Sequence, residues 1–337
     1  MTRLLMLLPL VLVAGVALVS EFSANAASRG VLLVANKGDQ TLGIIDPESG
    51  KQVATVAEGG VTGHEVIASP NGRFAYVPIY GNSGVGKPGT DGSNMIAIDI
   101  AARKVVGNLD FGRGVRPHCP QFGPKDGLLY VSTELDNAIT AIDPHSMKIV
   151  ASIPTGKPES HMFAITRDGR YGFTTNVGSG TVSVLDMQAH KTLDVISVAP
   201  MVQRISLSVD DHLAFTSDQS KPQLAVIDTQ SRKLTSWVPL PGTGYGTAPT
   251  PDGKWLVIAM PGAKQVAVLN LKTMKVEHTI DVPAAPQEVL IRPDGAVAYV
   301  SCDASHKVAE IQTSNWAVSR LIDAGSGADG LAWAAQK

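Results

Sequence analysis

A pattern of about 42 residues recurs down this 337-residue chain, and it constrains the fold more than any other feature. The clearest copy is Gln287 to Ile311, QEVLIRPDGAVAYVSCDASHKVAEI. It reads as strand, turn, strand, loop, strand. Val289 to Ile291 is a short apolar run, and Pro293-Asp294-Gly295 supplies turn chemistry. Ala298 to Ser301 and Val308 to Ile311 are further β-rich runs. Aligning copies by the residue six positions before the turn picks out His64, His118, His161, Gln203, Tyr245, Gln287 and Asp329. The last four intervals are 42 residues each, the one before them is 43 and the first is 54. A fixed period near 40, short strands and no helical periodicity predict an all-β, seven-bladed β-propeller of four-stranded antiparallel blades.

A second ladder agrees. The third strand of each copy ends at Asp46, Asp99, Asp143, Asp186, Asp228, Asn270 and Gln312. Asp and Asn there accept backbone N–H groups at the start of a turn, so these acids read as structural. Val31 to Ala35, Leu42 to Ile45 and Gln52 to Val56 form three strands with no first strand before them. Asp329 to Ala335 is a spare first strand at the other end. The two ends therefore complete one blade between them and remove the exposed edges of an open array.

Residues 1–26 read as a signal peptide: Arg3, an apolar run from Leu4 to Val19, then Ala24-Asn25-Ala26 as a cleavage site. The expectation is a periplasmic or secreted protein with no membrane span after cleavage, the propeller occupying 27–337. A net charge of -2 with few charged residues gives no nucleic-acid footprint. Cys119 and Cys302 fall in repeats that a closed ring holds apart, so both are expected as free, buried thiols.

One insertion breaks the period, Gly81 to Ser93, GNSGVGKPGTDGS. Gly81, Gly86 and Lys87 mimic a phosphate-binding loop. Pro88 replaces the metal-binding hydroxyl, though, and no helix follows to hold phosphate. It reads instead as a flexible loop projecting from one face, in the position of a lid.

Tyr76-Val77-Pro78, Tyr130-Val131-Ser132-Thr133, Phe173-Thr174-Thr175-Asn176 and Tyr299-Val300-Ser301-Cys302 resemble the tetrapeptide of the YVTN (YncE-like) β-propeller repeat proteins. The resemblance covers essentially the whole chain after residue 26. It implies the propeller fold but not one activity, since relatives include periplasmic binding proteins, lactonase-like enzymes and haem d1-associated propellers.

In such propellers the first strand of each blade lines the central channel. The seven aligned residues are then ligand-binding candidates ringing its mouth. Near them on the same face stand Glu65, Arg113, Arg116, Glu134, Asp136, Glu159, Arg204, Asp218, Asp303 and His306. His64, His118 and His161 come from successive repeats and could bind Zn or Cu through neutral imidazole. His145, His190, His212 and His278 fall in turns or outer strands as surface groups. A carboxylate, an imidazole and an Arg could activate water, with Glu134 or Glu65 as base near His118 and Arg116. No Gly-x-Ser-x-Gly elbow and no C-x-x-C-H haem motif is present. The reading favours a monomeric, non-catalytic propeller that binds a small molecule, metal or protein partner at the mouth. The alternatives are a lactonase-like hydrolase and a metal- or haem d1-handling accessory protein.

Overall fold

The computed structural model describes residues 29–336. The expected signal peptide lies outside them. Seven four-stranded antiparallel sheets form a ring, and among the described residues the only helical pieces are short 3-10 turns. Blade one comprises Ile67–Ala68, Phe74–Gly81, Asp91–Asp99 and Lys104–Asp110. Blades two to six follow in chain order. The closing blade pairs Ala328–Ala335 with Gly30–Asn36, then Thr41–Asp46 and Lys51–Ala57. Leu32 faces Trp333 and Val34 faces Leu331, so the two ends of the chain share one sheet as the spare strand predicted.

The core lies between blades. Tyr76, Met95 and Ala97 of blade one pack on Leu129, Val131 and Ile142 of blade two. Leu33, Leu42 and Ile44 of the closing blade pack on Val77, Ile96 and Ile98 of blade one. Each blade buries one face against each neighbour, which suits strands with apolar residues on both sides. Cys119 and Cys302 are free and buried.

The polar positions of the repeat serve its turns. Asp46, Asp99, Asp143, Asp186, Asp228 and Asn270 each accept a backbone N–H two or three residues ahead, at 2.6–3.1 Å. The outer strand of every blade carries a β-bulge at its third residue: Val53, Val106, Val150, Leu193, Thr235, Glu277 and Ser319. A bulge interrupts the row of unpaired backbone groups, which keeps seven outward edges from recruiting other strands.

Candidate functional site at the channel mouth

A second set of bulges builds the mouth. In four innermost strands two residues lie opposite one. These pairs are His118-Cys119 against Ser132, His161-Met162 against Thr175, Gln287-Glu288 against Ser301, and Asp329-Gly330 against Ala35. A bulge re-aims side chains that regular alternation would send to opposite faces. The third residue of the tetrapeptide fixes it. Ser132 accepts the Cys119 N–H at 2.9 Å and donates to the His161 carbonyl of the next blade at 2.5 Å. Thr175 donates to the Gln203 carbonyl, and Ser301 accepts the Glu288 N–H at 3.0 Å. The repeat thus uses a hydroxyl at this position to set the ring residue of its own blade or the next.

On the side of blades one to three the imidazoles come together. The His118 and His161 rings stack, with centroids 3.7 Å apart, and His64 meets His118 edge-on at 5.6 Å. Tyr80 packs against all three at 4.7–5.8 Å. Glu134 underpins the group. It accepts the Tyr80 hydroxyl at 2.7 Å and Arg116 Nη1 at 3.1 Å, and meets His161 Nδ1 at 3.2 Å. Gln203 Nε2 lies 3.2 Å from the other nitrogen of that ring, His161 Nε2. Glu134 thereby orients His161 with Nδ1 protonated and Nε2 as acceptor. Burial pushes the Glu134 carboxyl up, but its hydrogen bonds with His161, Tyr80 and Arg116 outweigh burial and hold it below its usual range. So saturated a carboxylate orients better than it abstracts protons.

His118 differs from its neighbours. It is 3% exposed, and its Nδ1 has no hydrogen-bond partner. Burial, then the nearby His161 and His64, hold its pKa well below 6.5. Burial likewise lowers His64 to about 4 against the pull of Asp329. A buried imidazole with an unmet nitrogen is unusual, because unmade hydrogen bonds cost about 1–3 kcal/mol.

On the opposite side the mouth is ionic. Arg204 of blade four spans the channel. It bonds Glu65 of blade one at 2.7 Å, Asp329 of the closing blade at 3.2 Å and Glu288 of blade six. The Tyr245 ring lies 5.0 Å from its guanidinium. Lys37 ties Asp303 at 2.6 Å to Asp329 at 3.1 Å. Burial raises Glu65 to about 7 despite Arg204 beside it. Burial also opposes ionisation of Asp329, but Lys37 and Arg204 hold it low. The proton of this buried group therefore resides on Glu65.

Most sequence-predicted residues converge, in two groups. Arg113 and Asp136 instead pair peripherally at 2.6 Å. Asp218 serves Ser220 and Gln223 of its own loop. Gln287 is half-buried, and His306 accepts the Gly327 N–H at 3.3 Å. Glu159 lies against the insertion, where a Cβ on Gly86, at φ +64°, would stand 2.7 Å from its carboxylate. The insertion itself is docked. Arg116 donates to the Lys87 carbonyl at 2.7 Å and to Asp91 at 2.7 Å. His145, His190, His212 and His278 are exposed as expected.

Among the described residues no group of three or more His, Cys, Asp or Glu is arranged to hold a metal ion. Tetrahedral Zn at about 2.0–2.1 Å from each nitrogen would keep two ring centres roughly 5 Å apart. The His118 and His161 ring centroids are closer than that, at 3.7 Å, with the ring planes tilted by 31°. As arranged, His64, His118 and His161 are a packed cluster of rings in which His118 and His161 stand too close to share one tetrahedral Zn.

Sequence reasoning missed Lys37, Tyr80, Asp91 and Glu288. A signal existed for two of them. The residue after each tetrapeptide is Lys37, Tyr80, Glu134, Val177, Gln219, Pro261 or Asp303, and four of these seven meet in the site.

No family model matches this chain. It is 24% identical over 169 residues to the 6-phosphogluconolactonase of Bacillus subtilis (strain 168), a match covering 42% of this chain and 45% of that protein. The chain thus aligns with less than half the length of that curated relative. The fold resembles Kuenenia stuttgartiensis hydrazine synthase, with TM-score 0.73 and 20% identity over 85% of this chain and 93% of that one. It also resembles the dihydro-heme d1 dehydrogenase NirN in complex with DHE (TM-score 0.66, 13% identity, 90% and 74% covered). A functionally unknown protein from Desulfotomaculum acetoxidans DSM 771 matches at TM-score 0.74 and 13% identity, covering 91% of this chain and all of that one. At these identities the likeness shows the propeller fold alone.

Proposed function

We propose that this chain is an exported, YVTN-type propeller that binds a small molecule at the channel mouth and does no chemistry on it. The observation that carries this is His118, a buried imidazole without a hydrogen-bond partner, stacked on a ring that Glu134 and Gln203 hold in place. A fixed polar group left unmet in a rigid ring is what ligand sites supply for orientation. A side chain only 3% exposed is out of reach of a flat protein surface, which leaves a small molecule as the proposed occupant. The test is a fragment screen by NMR on protein labelled with 15N-histidine. Binders should shift the His118 and His161 ring resonances and leave exposed His278 unmoved. His118→Leu should weaken them at least tenfold, about 1.4 kcal/mol. Binders that leave His118 untouched, or bind the variant equally well, would defeat the proposal.

A second reading is favoured by the Glu134–His161 pair and by the partial likeness to a lactonase. If a substrate displaced Gln203, His161 Nε2 could take a proton from water attacking an ester carbonyl, with Arg116 fixing Glu134 behind it. Lactone hydrolysis that survives His161→Gln would exclude this route.

A further inference from the structure

We propose that the molecule recognised at the mouth is a small organic cation carrying N–H donors, such as an alkylammonium. This inference rests on the binding reading above. Two independent observations lead to it.

The first is charge. Three cations enter the buried networks of the mouth: Lys37, Arg116 and Arg204. Six carboxylates face them. Asp303 and Asp329 bond Lys37, Asp91 and Glu134 bond Arg116, and Glu65 and Glu288 join Asp329 on Arg204. The imidazoles of His64 and His118 add no compensating charge, since both are held neutral at pH 7. With the proton on Glu65, the formal balance is two negative charges in excess. Among largely buried groups such an excess attracts cations and repels anions. An incoming anion would also find the cationic groups engaged. The one unpartnered nitrogen of Arg204, Nε, belongs to a guanidinium already bonded to three carboxylates.

The second observation is the unmet nitrogen of His118. It points to a ligand where the acidic excess alone would not. A neutral imidazole has one N–H and one lone pair. In the proposed complex the His118 proton sits on Nε2 and a ligand N–H satisfies the Nδ1 lone pair, its positive charge answering the acidic excess of the mouth. A quaternary ammonium would supply the charge and not the hydrogen bond. A neutral alcohol would supply the bond and not the charge.

The test uses the full chain labelled with 15N-histidine and a matched set of probes: n-butylammonium, tetramethylammonium, n-butanol, n-butyrate and Zn(II). Butylammonium should shift the His118 ring resonances with at least tenfold higher affinity than butanol, and butyrate should leave them unmoved. Raising salt should weaken butylammonium binding. Asp329→Asn should weaken it at least threefold. If that variant fails to fold, Glu288→Gln, a half-buried member of the same network, should do likewise. Butanol or butyrate binding at His118 as well as butylammonium would overturn the ligand class and leave the binding site standing. Tetramethylammonium binding equally well would overturn the N–H requirement. Zn(II) alone shifting the ring would replace the organic cation by a metal ion. If no probe moves His118, this inference falls, and the fragment screen alone decides the binding reading.

Discussion

The two sides of the channel mouth use adjacent positions of one repeat to opposite ends. On blades one to three the ring position holds His64, His118 and His161, which pack together and leave a hydrogen bond unmade. Across the channel, Arg204 draws carboxylates from three other blades into one network. The first side has spare recognition capacity. The second is nearly saturated and closes the passage. The repeat therefore fixes where these side chains stand, while their chemistry decides whether a position recognises or braces.

The largest effect should come from breaking the brace. Arg204→Met leaves buried Glu65 and Asp329, with half-buried Glu288 beside them, without their shared cation. Loss of one partner of a buried ionic group costs about 3–5 kcal/mol. Urea unfolding measures this directly, and a loss below about 1 kcal/mol would mean that Arg204 braces nothing.

The two sides should next separate by pH. Glu65, raised to about 7 by burial, keeps in the folded state a proton that the unfolded chain releases near 4.5. Its contribution is full below about 4.5 and falls as pH rises toward 7. His64, lowered to about 4 by burial, refuses a proton that the unfolded chain accepts near 6.5. Its contribution is full above 6.5 and falls as pH drops toward 4, and His118 shifts in the same direction. Between about 4.5 and 6.5 the sides oppose one another. Glu65→Gln should remove one of them, so that stability climbs more steeply with pH across that window, by up to about 1.4 kcal/mol per pH unit. An unchanged slope would contradict the placement of the proton on Glu65.

A smaller effect is expected on the imidazole side. His118→Leu conserves volume and removes an unmet polar group, so stability should change by less than about 1.5 kcal/mol in either direction. His278→Ala, on the exposed outer strand, should change it by less than about 0.5 kcal/mol. Thermal or chemical melts rank the two. A His118 variant as damaged as Arg204→Met would make both sides braces and erase the contrast.

The period, the turns and the shared closing blade were legible because each is local or repeats. Asp46 and its equivalents advertise the turn they cap, and Pro293-Asp294-Gly295 marks a hairpin wherever it stands. The ring positions were legible for the same reason, so His64, His118 and His161 could be placed side by side. What lay beyond reach was partnership across the channel. Arg204 and Glu65 are 139 residues apart, and no spacing rule joins them. The burial of His118 was also hidden, since a ring residue beside a channel suggests solvent. Its bulge, the stacked His161 and Tyr80 close over it instead.

The closing blade has a consequence in time as well as space. Lys37 belongs to the first part of the ring to be synthesised and Asp329 to the last, yet they bond within the mouth. The ionic side therefore cannot assemble until Ala328–Ala335 has been synthesised and has found Gly30–Asn36. An interrupted chain would hold most of its blades and still lack a finished mouth. The competence of the site thus depends on a pairing between residues 292 positions apart, and pairings of that separation are intrinsically slow to form.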